Sequence, residues 1–186
     1  WSPYFGWTIE QGTSPSTRVL KDDGRYLTDV FTEEAVAFVE RHRSEPFFLF
    51  LSYNAPHYPF QSRPEDLAPY VERGGMTRAV CHIRAMIERM DTGIARVLDT
   101  LDRTGLASDT LVLFSSDNGP QMHGAGEMDT TRFNCGHRGA KLLVYEGGIK
   151  LPMVLRWPAG LDGGGRTLDT MVHFTDWLPT LLAIAG

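Results

Sequence analysis

Three short stretches of this chain hold the residues with most chemistry to offer. The apolar run "LVLFSSDNGPQ" (111–121) ends on Asp117 and Asn118, "NAPHYP" holds His57 between two prolines, and "GHRGAKLLVYEGGIKLP" carries Lys141. Asp117 and Asn118 offer a carboxylate and an amide oxygen, hard donors suited to Ca²⁺, or less well to Mg²⁺, rather than to a soft metal. Two side chains cannot fill a calcium shell of about six to eight oxygens, so further ligands must come from elsewhere or from a substrate. His57 is of a type that serves as a general acid or as a donor to an anion. Lys141 could aim its charge at an anionic oxygen. A hard divalent metal, a lysine and a histidine around one crevice would suit hydrolysis of a sulfate or phosphate ester, the cations stabilising the transferred group and the acid protonating the leaving oxygen. No Ser, Thr or Cys stands beside a base as an evident nucleophile.

Each of these residues also has a plainer explanation. Asn-Gly followed by Pro is a strong turn signal, and taken alone "SSDNGP" reads as a turn. A histidine among prolines is often only packed or capped, and most lysines are simply solvated. Met86 and Met90 fit core packing better than any cofactor. The elements around them must therefore decide.

Those elements alternate. "TDVFTEEAVAFVERHR" begins at Thr28 with early acids and late bases, and sets Val30, Phe31, Ala35, Phe38 and Val39 on one helical face. Residues 78–102 repeat Val80, Ile83, Met86, Ile87, Met90, Ile94, Val97, Leu98 and Leu101 at helical spacing, a helix about 35 Å long. Between them, the apolar run from Phe47 to Leu51 has the composition of a strand buried on both faces. Residues 110–116 form a second strand and "LPMVLRWP" a third, and "TDWLPTLLAIAG" closes with a helix started by Thr175 or Asp176. Strands alternating with helices predict an α/β fold with a largely parallel sheet. Residues 1–25, punctuated by Pro, Gly, Ser and Thr, are expected as an irregular loop on the substrate side. Trp1, Tyr4, Phe5 and Trp7 could stack there on sugar rings, or simply pack.

If 47–53 and 110–116 are parallel strands joined through the long helix, both release their carboxyl ends at one sheet edge, where ligands bind in open α/β sheets. "NAPHYP" and "SSDNGP" should then be neighbours. The connection from Asp117 to about Lys150 is far longer than an ordinary loop and dense in polar groups. Its Phe133, Leu142, Leu143, Val144 and Tyr145 argue against disorder.

Composition bounds the rest. The chain has 186 residues, with 18 Lys and Arg against 23 Asp and Glu, and the bases are scattered. That argues against a nucleic-acid surface. "PFFLFLSY" falls far short of the roughly 20 apolar residues of a membrane helix. Cys81 and Cys135 permit one disulfide, though two buried thiols are the simpler expectation.

Four blocks, "PFFLFLSYNAPHYPF", "LVLFSSDNGP", "RGAKLLVYEGGIKLPMVLRWP" and "TDWLPTLLAIAG", resemble in order and spacing the formylglycine-dependent sulfatases of the alkaline phosphatase superfamily. The resemblance covers about residues 26–186. It implies an alkaline phosphatase-like α/β/α sandwich with a largely parallel central sheet, of which residues 1–186 would be one part. It also implies Ca²⁺ held by Asp117 and Asn118, His57 assisting the leaving group and Lys141 gripping the sulfate of a sulfate-ester substrate. Glu146, Gly147 and Gly148 resemble a structural turn, and His123 is a minor candidate for the metal. By the same resemblance the protein would be periplasmic, secreted or lysosomal. The family's nucleophile arises from Cys or Ser in a Cys/Ser-x-Pro-x-Arg motif, and neither cysteine here has that context. The simplest expectation is an internal segment of a longer enzyme, with the formylglycine upstream; a phosphoester or phosphonate hydrolase and a non-catalytic fragment are the alternatives. Ala140 and Leu142 flank Lys141 where the family commonly has Gly, which bears on the geometry of that loop.

Overall fold

The computed structural model describes residues 3–13 and 16–186; Trp1 lies outside them. Five α-helices, two single-turn 3-10 helices and two antiparallel ladders are found among the described residues. Strand β1 (Thr8–Thr13) pairs with β2 (Ser16–Lys21), and β3 (Val112–Ser115) pairs with β4 (Met153–Arg156). The helices are α1 (Leu27–Arg41), α2 (Pro64–Arg73), α3 (Arg78–Arg103), α4 (Glu146–Ile149) and α5 (Trp177–Ala185). No helix among the described residues is long and apolar enough to cross a membrane.

Helices α1 and α3 form where the 3.6-residue apolar period places them. Thr77 caps α3 by accepting the Val80 N–H at 3.3 Å. The two helices pack face to face, and Asp29 and Arg89 tie them with a two-pronged ion pair at 2.6 Å in each prong. At Gly93 of α3 a Cβ would collide with the Thr32 hydroxyl of α1 and crowd the Tyr53 hydroxyl, and those two groups share a hydrogen bond of 2.7 Å. The missing side chain thus lets the segment leading to His57 lie in the helix crossing. Helix α2, which the apolar pattern did not foretell, packs on α3 through Leu67, its one buried residue.

Several expectations differ from the structure. Residues 47–53 form no strand and join no ladder, and the pairs found among the described residues are antiparallel. One face of this segment rests on α1, with Phe47 edge-on to Phe38 at 5.8 Å, while Phe48 and Phe50 on the other are 75% and 79% exposed. It is therefore covered on one face, because no second layer lies against Phe48 and Phe50 among the described residues. Residues 1–25, expected to be irregular, contain the β1–β2 hairpin, whose Ile9 and Leu20 pack against Trp7, Leu27 and Val30. Tyr4 and Trp7 are buried at 1% and 2% exposure, which removes both from any sugar-stacking surface. Cys81 is buried as expected, but Cys135 is exposed, and both thiols are free.

One half-buried histidine adds a pH dependence. His82 on α3 shares a 2.8 Å hydrogen bond with Ser62, and desolvation, helped by Arg78, holds its pKa below the usual 6.5. Between the lowered folded value and about 6.5 the unfolded chain binds more protons than the native one, so stability rises with pH there. Stability is expected to fall as pH drops below about 6.5, and His82→Gln should flatten that part of the curve. Urea unfolding at a series of pH values between about 4.5 and 7.5 checks it; a profile unchanged by the substitution would refute it.

Candidate active site

Strand β3 stops at Ser115, and the chain turns through Asp117 and Asn118. Asp117 is exposed, and no hydrogen bond or ion pair to its carboxylate is found among the described residues. The Asn118 amide donates to the Gly119 carbonyl at 2.9 Å, which turns its oxygen away from that contact. Gly119 follows, buried, its N–H donating to the Gly148 carbonyl at 2.8 Å. A Cβ at Gly119 would run into the Gly147 carbonyl, so glycine is what permits the turn to press against α4.

The next carbonyl, that of Pro120, accepts the Lys141 N–H at 2.9 Å. This bond fixes the lysine loop directly beside the Asp117-Asn118 turn. From there the Lys141 Nζ reaches the His57 Nε2 at 3.2 Å, across 84 positions of sequence. The two loops expected to be neighbours therefore meet through Lys141. The other ring nitrogen of His57, Nδ1, lies 2.7 Å from the Tyr58 carbonyl, which can only accept. In the neutral ring Nδ1 thus carries the proton, and Nε2 accepts from the lysine.

The Lys141 loop is braced on both sides. Arg138 stacks on the Tyr145 ring at 3.9 Å and donates to its hydroxyl at 3.0 Å. The Gly147 N–H donates to the Arg138 carbonyl at 2.7 Å, and the Asn134 amide donates to the Gly139 carbonyl at 2.9 Å. Gly147 and Gly148 are buried with backbone against backbone, and His137 sits 3.5 Å from Glu146 at the start of α4. The Leu143 N–H closes a tight turn on the Ala140 carbonyl at 3.0 Å, and Leu142 within it has φ +75°. A left-handed leucine is strained by about 1–2 kcal/mol, and this one is 91% exposed, so it gains little from burial. Leu142→Gly should stabilise the protein by about 1 kcal/mol in chemical unfolding, and a loss of stability would contradict this account of the turn.

His123 is exposed, and no contact of its ring with His57, Lys141, Asp117 or Asn118 is found among the described residues. No cluster of three or more His, Cys, Asp or Glu that could hold a metal is found there either. Asp117 and Asn118 fit a hard cation as two oxygen donors of a larger shell. Tyr4, noted from the sequence only as a stacking or packing aromatic, and Tyr26, not singled out at all, surround the His57 turn; Tyr4 donates to the carbonyls of Asn54 and His57.

A helix-rich α/β chain with a cation and an imidazole gathered beside two hard oxygen donors agrees with what known proteins resemble it. The Sulfatase family model matches residues 2–186, and the chain belongs to the sulfatase family. Human arylsulfatase H is 35% identical over 162 residues, 86% of this chain and 27% of that protein. The chain thus spans about a quarter of such a relative's length. The solved structure of Ps i-CgsB in complex with k-i-k-neocarrahexaose is 29% identical with a TM-score of 0.62, covering 75% of this chain and 31% of that one. A Bacteroides thetaiotaomicron structure from the metabolism of multiple glycosaminoglycans, 20% identical, has a TM-score of 0.70 over 89% of this chain and 36% of its own. That last likeness speaks to fold alone.

Proposed function

We propose that this chain carries one half of the active site of a sulfuric ester hydrolase, with His57, Lys141, Asp117 and Asn118 facing the sulfate. The observation that carries the proposal is the 3.2 Å contact of Lys141 with His57, made by a lysine whose backbone is tied to the residue two beyond Asn118. When bound, Ca²⁺ on Asp117 and Asn118 would supply Lewis-acid stabilisation of the sulfate oxygens, and a formylglycine outside these residues would supply the nucleophile. Lys141 turns from Nε2 to a sulfate oxygen as the anion enters and neutralises charge that grows during transfer. Once Lys141 has turned away, Nε2 takes up a proton from water; His57 keeps its Nδ1 proton against the Tyr58 carbonyl and donates the Nε2 proton to the ester oxygen as the S–O bond breaks. The electron pair of that bond stays with the departing alcohol.

The parallel sheet belongs to the same proposal. The open face of Phe48 and Phe50 is where further layers of the longer enzyme would cover residues 47–53. The complex of Ps i-CgsB with k-i-k-neocarrahexaose supports a sulfated carbohydrate as substrate. The 57% exposed Tyr58 beside His57 is a candidate platform for a sugar ring.

Comparison of kcat/KM for 4-nitrophenyl sulfate and 4-nitrophenyl phosphate, measured with the full-length enzyme, tests the proposal. Preference for the sulfate by at least about 100-fold, or 2.7 kcal/mol in transition-state binding, is expected. Preference for the phosphate would assign the site to phosphoester hydrolysis instead.

A further inference from the structure

The turn that carries His57 is held from outside its own segment by one buried phenol. The Tyr4 hydroxyl shares its one proton between the carbonyls of Asn54 at 2.7 Å and His57 at 3.0 Å. These are the two ends of a turn that the His57 N–H closes on the Asn54 carbonyl at 2.8 Å. The phenol itself is fixed from three directions. Its ring stacks on Tyr26 at 5.4 Å and 20°, its N–H donates to the Gln61 side chain at 3.0 Å, and its carbonyl accepts the Leu27 N–H of α1 at 3.0 Å. Tyr26 in turn donates its hydroxyl to the Gln61 carbonyl at 2.6 Å, which anchors the chain just beyond the turn. Burial pushes the ionisation of Tyr4 far above its usual range, so the hydroxyl is a donor at every pH at which the protein would work. Packing alone would be served equally well by phenylalanine; what the hydroxyl adds is a link between α1 and the two ends of the histidine turn.

We propose that Tyr4 is a positioning residue which, by gripping both carbonyls of the 54–57 turn, sets His57 Nε2 in line with the departing ester oxygen. The proposal rests on the role given to His57 above. Tyr4 touches no substrate: the proton moves from Nε2 to the ester oxygen, and the phenol keeps its own. Its loss should therefore impair protonation of the leaving group and leave sulfate binding, the task of Lys141 and the metal pair, largely untouched.

The test is Tyr4→Phe in the full-length enzyme, assayed on 4-nitrophenyl sulfate, whose phenol leaves without much help, and on phenyl sulfate, whose phenol needs a proton. Tyr4→Phe should slow phenyl sulfate about tenfold more than 4-nitrophenyl sulfate, with KM for each changed by less than about twofold. The ratio of the two rates is independent of how much enzyme is folded, so partial instability cannot imitate the effect. Tyr26→Phe, which releases the Gln61 carbonyl instead, should leave the ratio unchanged. A Tyr4→Phe enzyme with the wild-type ratio, or one slowed equally on both esters, overturns the proposal. His57→Ala measured alongside separates the two levels. If it leaves the ratio unchanged, the role of His57 is wrong. If it widens the ratio while Tyr4→Phe does not, only the role of Tyr4 fails.

Discussion

Lys141→Ala is expected to lower kcat/KM for an aryl sulfate by about 10²–10³-fold in the full-length enzyme while the protein stays folded. The loop does not depend on the side chain for its place, since the backbone N–H of residue 141 holds the Pro120 carbonyl and alanine keeps that bond. What is lost is the hydrogen bond to His57 and the cation beside its ring. A half-exposed hydrogen bond of this kind contributes about 1 kcal/mol to stability, so the melting temperature should move by only a few degrees. The kinetic loss is far larger because sulfate oxygens gain charge in the transition state at the place where Nζ would lie. Lys141→Arg should rescue poorly, since a planar guanidinium cannot replace a compact ammonium at the end of this turn. Steady-state kinetics paired with thermal unfolding check both halves. A variant that loses activity only in proportion to lost folded protein would reduce Lys141 to a structural residue.

Gly119→Ala should have the largest effect on the fold, a destabilisation of about 3 kcal/mol or more accompanied by loss of activity. The added methyl meets the Gly147 carbonyl and crowds Gly148, and these are backbone atoms that cannot turn aside. Their own neighbours give no room. A Cβ at Gly147 would meet the Gly139 carbonyl, and one at Gly148 the carbonyls of Leu143 and Ala140. The 2.8 Å bond from the Gly119 N–H to the Gly148 carbonyl would be lost, and with it the register of Asp117 and Asn118 against the Lys141 loop. Gly164→Ala is the matched control, since a methyl there meets nothing within 4 Å. It should change stability by no more than about 0.5 kcal/mol. Urea midpoints for the two variants decide the matter, and equal midpoints would refute the account of the glycine packing.

What could be read from the sequence follows the range of the forces involved. Helices α1 and α3 were legible because their apolar period and their early acids or caps are local. Strands β3 and β4 were legible as apolar runs bounded by turn residues, but their antiparallel pairing was not, since pairing depends on distant partners. Residues 47–53 illustrate the same limit: the apolar composition suggested a strand buried on both faces, but the segment joins no ladder and leaves Phe48 and Phe50 exposed. Helix α2 escaped notice although Pro64, Glu65 and Asp66 open it and Gly74 ends it, because it buries only Leu67 and has Pro69 inside. The meeting of the His57 and Asp117 loops was expected from two parallel strands, yet 47–53 joins no ladder and β3 pairs antiparallel with β4; the loops meet instead through Lys141. The residue joining them, Lys141, had been singled out only for its charge and a family resemblance. Tyr4 had been noted only as an aromatic that could stack or pack, since a phenol bonding to backbone carbonyls some 50 positions away has no sequence pattern to betray it.

The most direct test of the site is a double-mutant cycle on His57 and Lys141 in the full-length enzyme, read as kcat/KM for 4-nitrophenyl sulfate. Two groups 3.2 Å apart that serve one transferring sulfate should act as a unit. Each single alanine variant is expected to lose about 10²–10³-fold, and the double variant little more than the worse of the two. Wild-type turnover in either single variant, or losses that simply multiply in the double one, would contradict a shared site.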